Sequence, residues 1–213
     1  MKLTKLGHSC ILLEAGSVRV LVAPGDYTTA AVQAIKNIDA GFITHEHVDH
    51  FDLPSLKSLR TIMPDVPIYT NHGVGARLDA EKISWQLCEH NGSIKIKDLA
   101  VVAYGEQHGA IYPTVPVVVN TGYLFGGKFF HPGDAFIVPP FPVDVLALPI
   151  VAPWLKIDEV IEYAKSVKPR ICFSVHDGPM KSLSFLYTKL IPSILEPLGI
   201  TYILLGAGES LEV

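Results

Sequence analysis

The stretch THEHVDH, residues 44–50, contains three of the chain's nine histidines and two carboxylates. It follows an apolar run that is typical of a buried strand. Residues two apart on an extended chain point to the same side, so His45 and His47 can reach one metal ion. Asp49 and His50 lie just beyond, where they can face a second metal. Four ligand-type residues at this spacing favour a metal centre over a solvated loop.

A centre with two metals needs further ligands, because each metal takes about three protein groups and the two share a bridge. Three other polar residues each follow a predicted strand and have a glycine close by, namely His108, Asp134 and His176. Ligands of layered α/β folds usually bind beyond the carboxyl ends of the strands. We therefore expect these three side chains to lie beside the histidine motif.

Length and composition limit what such a centre can belong to. We predict a single domain over residues 1–213, because this length suffices for one substantial core. Hydrophobic residues make up 49% of the chain and charged residues 18%, so most elements should be buried on one face. The net charge of −4, without a run of lysine or arginine, disfavours a surface for nucleic acid or acidic lipid. We expect a small-molecule substrate and neither nucleic acid nor membrane as partner.

The cysteines and the N-terminus indicate a cytoplasmic protein. Cys10, Cys88 and Cys172 are widely spaced in apolar stretches, which is typical of buried free thiols in a reducing compartment. The first residues lack an uninterrupted apolar core before Glu14, so they do not resemble a secretory signal.

Hydrophobic periodicity predicts two β-rich halves with helices between the strands. The predicted strands cover residues 3–6, 10–14, 18–22, 40–44, 66–70, 93–97, 99–104, 145–148, 170–173 and 201–205. A hairpin is predicted over 123–130, where the Gly126-Gly127 pair suits a tight primed turn. The predicted helices cover residues 28–37, 53–60, 74–81, 157–167 and 182–195. This order indicates two sheets packed face to face with the helices outside.

The ordered set HxHxDH at 45–50, His108, Gly133-Asp134 and His176 resembles the metallo-β-lactamase superfamily. The opening LGHSCILLE at 6–14, with LPI at 148–150 and KPR at 168–170, is similar to a narrower branch. That branch comprises small, stand-alone zinc-dependent hydrolases and includes ascorbate-6-phosphate lactonase. The resemblance implies an α/β fold in four layers, an αββα sandwich.

The resemblance also implies which residues bind two divalent ions, with zinc the first expectation and manganese or iron the alternatives. It assigns His45, His47 and His108 to the first metal. It assigns Asp49, His50 and His176 to the second, with Asp134 as the bridge between the two.

This chain departs from the pattern of such families at three places. The aspartate that usually supports the ligands is Ala23 here, and Asp26 is the nearest replacement in the VAPGD segment at 22–26. The threonine often found after the bridging aspartate is Ala135, and Trp154-Leu155 replace a more polar sequence of the branch. Loss of support for a ligand typically weakens metal affinity by roughly 10–100-fold.

The implied chemistry is hydrolysis of a small ester, lactone or phosphoester by a hydroxide that bridges two divalent metals. The metals lower the pKa of a shared water to about 7 and stabilise the oxyanion that develops. Asp49 and Asp134 are the expected catalytic carboxylates, and Asp49 could also accept a proton. The alternatives are a nucleic-acid phosphodiesterase of the same superfamily and a non-catalytic sensor of metal or small ligands.

The remaining histidines are weaker candidates. We expect His8 to support the site from beneath and His131 to line the pocket. His72 and His90 are expected on the surface or in loops. Tyr112 and Trp154 could form the pocket wall or pack in the core.

Overall fold

The computed structural model describes residues 1–180, 182 and 184–213. Its strands in chain order are β1 (Lys2–Gly7), β2 (Cys10–Ala15), β3 (Val18–Val22), β4 (Ala40–Phe42), β5 (Ile68–Thr70), β6 (Gln86–Leu87), β7 (Ser93–Ile96), β8 (Leu99–Tyr104), β9 (Gly122–Phe125), β10 (Phe129–His131), β11 (Val145–Pro149), β12 (Ile171–Val175), β13 (Thr201–Ile203) and β14 (Ser210–Glu212). Its α-helices are α1 (Thr29–Gln33), α2 (Leu53–Ile62), α3 (His72–Ala80), α4 (Ile157–Val167) and α5 (Ile191–Leu195).

These strands form two mixed sheets over the described residues. The first has the order β14-β1-β2-β3-β4-β5-β6 and the second the order β13-β12-β11-β10-β9-β8-β7. In each sheet one half is antiparallel and the other parallel, with β3 to β6 parallel in the first sheet and β10 to β13 parallel in the second. The parallel halves require crossovers, and the longer helices lie on those crossovers.

The core confirms four layers. Between the sheets lies a continuous apolar cluster, in which Phe42 of the first sheet meets Phe125 of the second with ring centroids 5.1 Å apart. Helices α1 to α3 bury their apolar faces on the outside of the first sheet, and α4 and α5 do so on the second. The predicted αββα sandwich is thus the observed architecture.

Local turn chemistry behaves as the sequence predicts in the β9–β10 hairpin. Gly126 and Gly127 have φ of 58° and 66°, the left-handed values that a primed two-residue turn requires at both positions. Among the described helices, none has the length and apolar character needed to cross a membrane.

Three predicted elements differ from the structure. The helix predicted over 28–37 is only α1, after one turn of 3₁₀ helix, and the Asn37 carbonyl accepts a hydrogen bond from Arg19 instead. The strand over 201–205 is not the last, because β14 follows and pairs with β1. The helix predicted over 182–195 includes position 183, which lies outside the described residues; its described part is a π-helical turn (Leu186–Leu190) followed by α5.

Candidate metal centre

The histidine motif occupies a loop beyond β4, which ends at Phe42. His45 and His47 therefore lie just past the strand and not on it, because the strand predicted over 40–44 ends at Phe42. In the turn that follows them, the backbone N–H groups of His50 and Phe51 both donate to the His47 carbonyl, at 3.0 and 2.9 Å, and the ring centroids of His45 and His50 lie 4.2 Å apart. The imidazole rings of His45 and His47 lie edge to face, with centroids 4.9 Å apart.

The structure brings all seven predicted ligand residues together at one edge of the two sheets. Their possible ligand atoms lie within 4.8 Å of one another in three overlapping groups. The groups are His45, His47 and His108; His45, His50 and Asp134; and His8, Asp49, His50 and His176. His8 was not among the predicted ligands, and it stands in the third group through its contact with Asp49.

Asp134 lies between the groups. Its Oδ1 is 3.0 Å from Nε2 of His50, and its Oδ2 is 2.8 Å from Nε2 of His176 and 3.5 Å from Nε2 of His108. Nε2 of His176 is also 3.2 Å from Oδ2 of Asp49. A carboxylate with ligand-type nitrogens facing each oxygen is suited to bridge two ions.

The buried nitrogen atoms of this site lack partners, which supports the fit of a metal. The Nε2 atoms of His45, His50, His108 and His176 make no hydrogen bond of acceptable geometry within the described residues. Buried polar atoms are normally paired, and each unpaired one costs about 1–3 kcal/mol. Four imidazole lone pairs that converge on one space fit a divalent ion, which takes neutral imidazole and carboxylate ligands.

Electrostatics favours the ligand forms of His45, Asp134 and Asp49. For His176, burial would lower the pKa, but the Asp134 and Asp49 carboxylates outweigh burial and raise that pKa to about 10, so a metal would displace a proton there. Burial and the nearby His50 lower the pKa of His45 well below its usual value, which keeps that imidazole neutral. Burial alone would raise the pKa of the Asp134 carboxyl, but His50 and His176 outweigh burial and hold that pKa well below its usual range. Burial likewise opposes ionisation of Asp49, yet the imidazoles of His176 and His8, each 3.2 Å from its Oδ2, outweigh burial and lower the pKa of that carboxyl. The site therefore presents ionised carboxylates to a cation.

His108 and His176 are each oriented through Nδ1. Nδ1 of His108 faces the Gly109 carbonyl at 2.6 Å, and Nδ1 of His176 faces the Val151 carbonyl. A carbonyl only accepts, so both Nδ1 atoms carry a proton, and Nε2 is the nitrogen that bears the lone pair when the imidazole is neutral. This is the tautomer that binds metal.

Thr44 supports two further ligands. Its Oγ1 lies 3.1 Å from Nδ1 of His45 and 3.3 Å from Nδ1 of His50, and it is fully buried. A hydroxyl oxygen has two lone pairs and can accept from both rings. Asp26, the expected replacement for the aspartate missing at Ala23, is exposed and makes no side-chain bond to a ligand in the described part of the chain.

Replacement of the Thr44 hydroxyl by a methyl group should therefore weaken metal binding. We expect Thr44→Val to lower metal affinity by roughly 10–100-fold, because the imidazoles of His45 and His50 lose the group that orients them. Thr44→Ser keeps the hydroxyl and serves as the control. Competition with a chromophoric chelator measures the affinity, and equal affinity in the Val and wild-type proteins would contradict this role.

Gly25 allows the motif loop to pack against the segment that follows β3. A Cβ atom at Gly25 would lie 1.7 Å from the Asp49 carbonyl oxygen and 2.7 Å from the His50 nitrogen. Both neighbours are backbone atoms, so the loop would have to shift and would carry Asp49 with it.

We expect Gly25→Ala to lower the free energy of unfolding by about 1–3 kcal/mol and to reduce metal content. Urea denaturation and elemental analysis measure the two effects. Gly41→Ala in β4 is the matched control, since its Cβ would make only an ordinary contact, 3.8 Å from Ile68 Cγ1. Unchanged metal content in Gly25→Ala would show that the loop tolerates the displacement.

The other candidate residues have varied positions. His8 is buried and lies 3.2 Å from Asp49 through its Nε2, as expected for support of the site. His131 is fully buried and bonded to the Ser9 carbonyl, so it does not line an open pocket.

His72 is exposed beside Glu89, and Tyr112 is 64% exposed, which places neither in the core. His90 is partly buried and accepts the Gly105 N–H.

Two side chains that hold the Asp134 loop had no clear sequence signal. Asn120 accepts the backbone N–H of Asp134 at 3.0 Å and donates to the Pro132 carbonyl at 2.9 Å. Trp154, considered only as a wall or core aromatic, donates from Nε1 to Oδ2 of Asp134 at 2.9 Å. Asn120 stands in an irregular segment between strands, where periodicity carries no information.

Comparison with known proteins agrees with the fold described above. The model of the β-lactamase superfamily domain matches residues 2–176. Protein Rv0786c of Mycobacterium tuberculosis is 36% identical over 183 residues, which cover 84% of each chain. UPF0173 metal-dependent hydrolase MJ1163 of Methanocaldococcus jannaschii is 22% identical over 220 residues, 99% of this chain and 100% of that protein. The metallo-β-lactamase fold protein YhfI of Bacillus subtilis superposes with a TM-score of 0.77 at 15% identity, covering 100% and 99% of the two chains.

Proposed function

Because the chain belongs to the β-lactamase superfamily, we propose that it is a dinuclear metal-dependent hydrolase of a small ester, lactone or phosphoester. The observation that carries this proposal is the convergence of four buried, unpaired imidazole nitrogens on the ionised Asp134. The description of the Methanocaldococcus jannaschii relative as a metal-dependent hydrolase supports the same class of reaction.

The residues divide between two ions as the superfamily resemblance implies. His45, His47 and His108 would bind one divalent ion, Asp49, His50 and His176 the other, and Asp134 would bridge them. Bound divalent ions supply hydroxide near neutral pH, because they lower the pKa of a shared water to about 7. Zinc is the first expectation, and manganese or iron suit the same mixture of imidazole and carboxylate.

The other contribution of the chain is to orient the imidazole rings. The backbone carbonyls of Gly109 and Val151 and the hydroxyl of Thr44 lie beside Nδ1 of four imidazoles, which leaves Nε2 of each ring to face a metal. The narrower resemblance to ascorbate-6-phosphate lactonase concerns only short segments, so the substrate proposed here is a class of small molecules with a carbonyl or phosphoryl centre.

A substrate screen tests the proposal. Protein loaded with zinc, manganese or iron is assayed against chromogenic carboxylic esters, lactones, phosphomonoesters and phosphodiesters and against oligonucleotides, with Asp134→Ala as the inactive control. Turnover of at least one class by the wild type, lost in the control and after chelation, is the expected result. A protein that binds metal and turns over none of these classes would favour the sensor, and preference for oligonucleotides would favour the phosphodiesterase.

A further inference from the structure

Trp154 makes an unusual contact for a residue in the segment between β11 and α4. Its indole N–H donates to Oδ2 of Asp134 at 2.9 Å, and the residue is partly buried. The indole N–H is a donor only and carries no charge. It can therefore hold a carboxylate in place without neutralising the charge that attracts a cation.

Packing fixes the direction of this N–H. The indole ring lies edge to face with Phe136, at a centroid distance of 5.0 Å, and with His108 at 5.8 Å. It also lies against Gly109, where an added Cβ would be 2.4 Å from the ring. The backbone N–H of Gly109 donates to the carbonyl of Asp134 at 2.7 Å. Trp154, Gly109 and Asp134 thus form one packed unit beside His108.

The contact makes the two oxygens of Asp134 unequal. Oδ2 accepts the Trp154 N–H, whereas Oδ1 accepts no hydrogen bond of acceptable geometry within the described residues. A hydrogen bond draws charge from the oxygen that accepts it, so Oδ1 and Oδ2 offer different donor strength to a metal.

We propose that Trp154 is a positioning residue for the metal centre, which fixes the rotation of the Asp134 carboxylate and makes its two oxygens unequal as metal ligands. The inference rests on the metal-binding part of the proposed function and not on turnover.

The first test removes the N–H and keeps the shape. Benzothienylalanine in place of Trp154 replaces the indole N–H by sulfur, and Trp154→Phe keeps an aromatic ring of smaller size. Trp85→Phe is the matched control, because Trp85 also donates its indole N–H to a carboxylate, Asp79, at 2.8 Å, but on the exposed side of α3. Zinc affinity of each protein is measured by competition with a chromophoric chelator.

We expect zinc affinity to fall roughly tenfold or more in both Trp154 variants and to stay unchanged in Trp85→Phe. Equal affinity in the benzothienylalanine and wild-type proteins would overturn the inference and leave the hydrolase proposal intact. Weakened affinity in a protein that hydrolyses no substrate would support the inference and contradict the hydrolase. A wild-type protein that binds neither zinc, manganese nor iron would overturn both.

The second test needs no metal. In metal-free protein labelled with ¹⁵N at tryptophan, the indole proton of Trp154 should move upfield in Asp134→Ala, because it loses a charged acceptor. The indole signal of Trp85 should not move. A Trp154 indole signal that does not shift in Asp134→Ala would show that the hydrogen bond from Trp154 to Asp134 is absent in solution. That result would overturn the inference.

Discussion

An Asp49→Asn protein is expected to hold about one divalent ion instead of two and to lose turnover by roughly 10²–10³-fold or more. Burial opposes ionisation of Asp49, but the nearby imidazoles of His176 and His8 outweigh it and lower the pKa of the carboxyl. Lowering the pKa of a carboxylate makes it a weaker proton acceptor. Its ionised form is a strong ligand instead, and asparagine cannot supply that charge.

The same substitution separates the two roles predicted for Asp49. Two ions retained with turnover lost would show that Asp49 accepts a proton and does not hold the second metal. Asp79→Asn is the matched control, because Asp79 is an exposed carboxylate on α3 that accepts an indole N–H. That variant should keep both its metal content and its turnover.

A Lys5→Met protein is expected to lose about 3–5 kcal/mol of unfolding free energy. Lys5 lies in β1 with a side chain only 1% exposed, and its Nζ donates to the carbonyls of Ser174 and Leu205, both at 2.9 Å. It also donates to both carboxylate oxygens of Asp177, at 2.8 and 2.7 Å. Burial lowers the pKa of Lys5 and the Asp177 carboxylate raises it, so the charge depends on this partner.

Methionine fills similar space but leaves the Asp177 carboxylate and two carbonyls without their donor. Urea denaturation measures the loss, and the double variant Lys5→Met with Asp177→Leu should recover part of it, since no uncompensated charge remains. A single variant within about 1 kcal/mol of the wild type would show that solvent reaches Asp177 and that the pair contributes little. Because Asp177 follows His176, the single variant should also reduce metal content.

Sequence patterns predicted the layered fold and the candidate ligand residues well. The αββα layers follow from strand and helix periodicity together with the family resemblance, and the hairpin at Gly126-Gly127 follows from turn chemistry. The seven ligand candidates could be picked because each polar residue follows a β-run near a glycine, or belongs to the motif itself. Such signals are local in sequence, and the parallel strands then bring the seven residues to one edge of the sheets.

Contacts between distant segments could not be predicted. The bond from Trp154 to Asp134 joins residues 20 apart, and its direction depends on the space at Gly109. Strand β14 pairs with β1 across almost the whole chain, and its three residues show too little alternation to be recognised. The turn that follows His47 could not be predicted either, because it depends on hydrogen bonds from His50 and Phe51 to the His47 carbonyl beyond the end of β4.

The most direct test of the central claim is elemental analysis of the protein, purified without added metal, for the wild type and Asp134→Ala in parallel. The bridging position of Asp134 predicts about two divalent ions per chain in the wild type and a sharp fall in the variant. Two ions in both proteins would contradict the bridge, and one ion or none in the wild type would contradict the dinuclear centre.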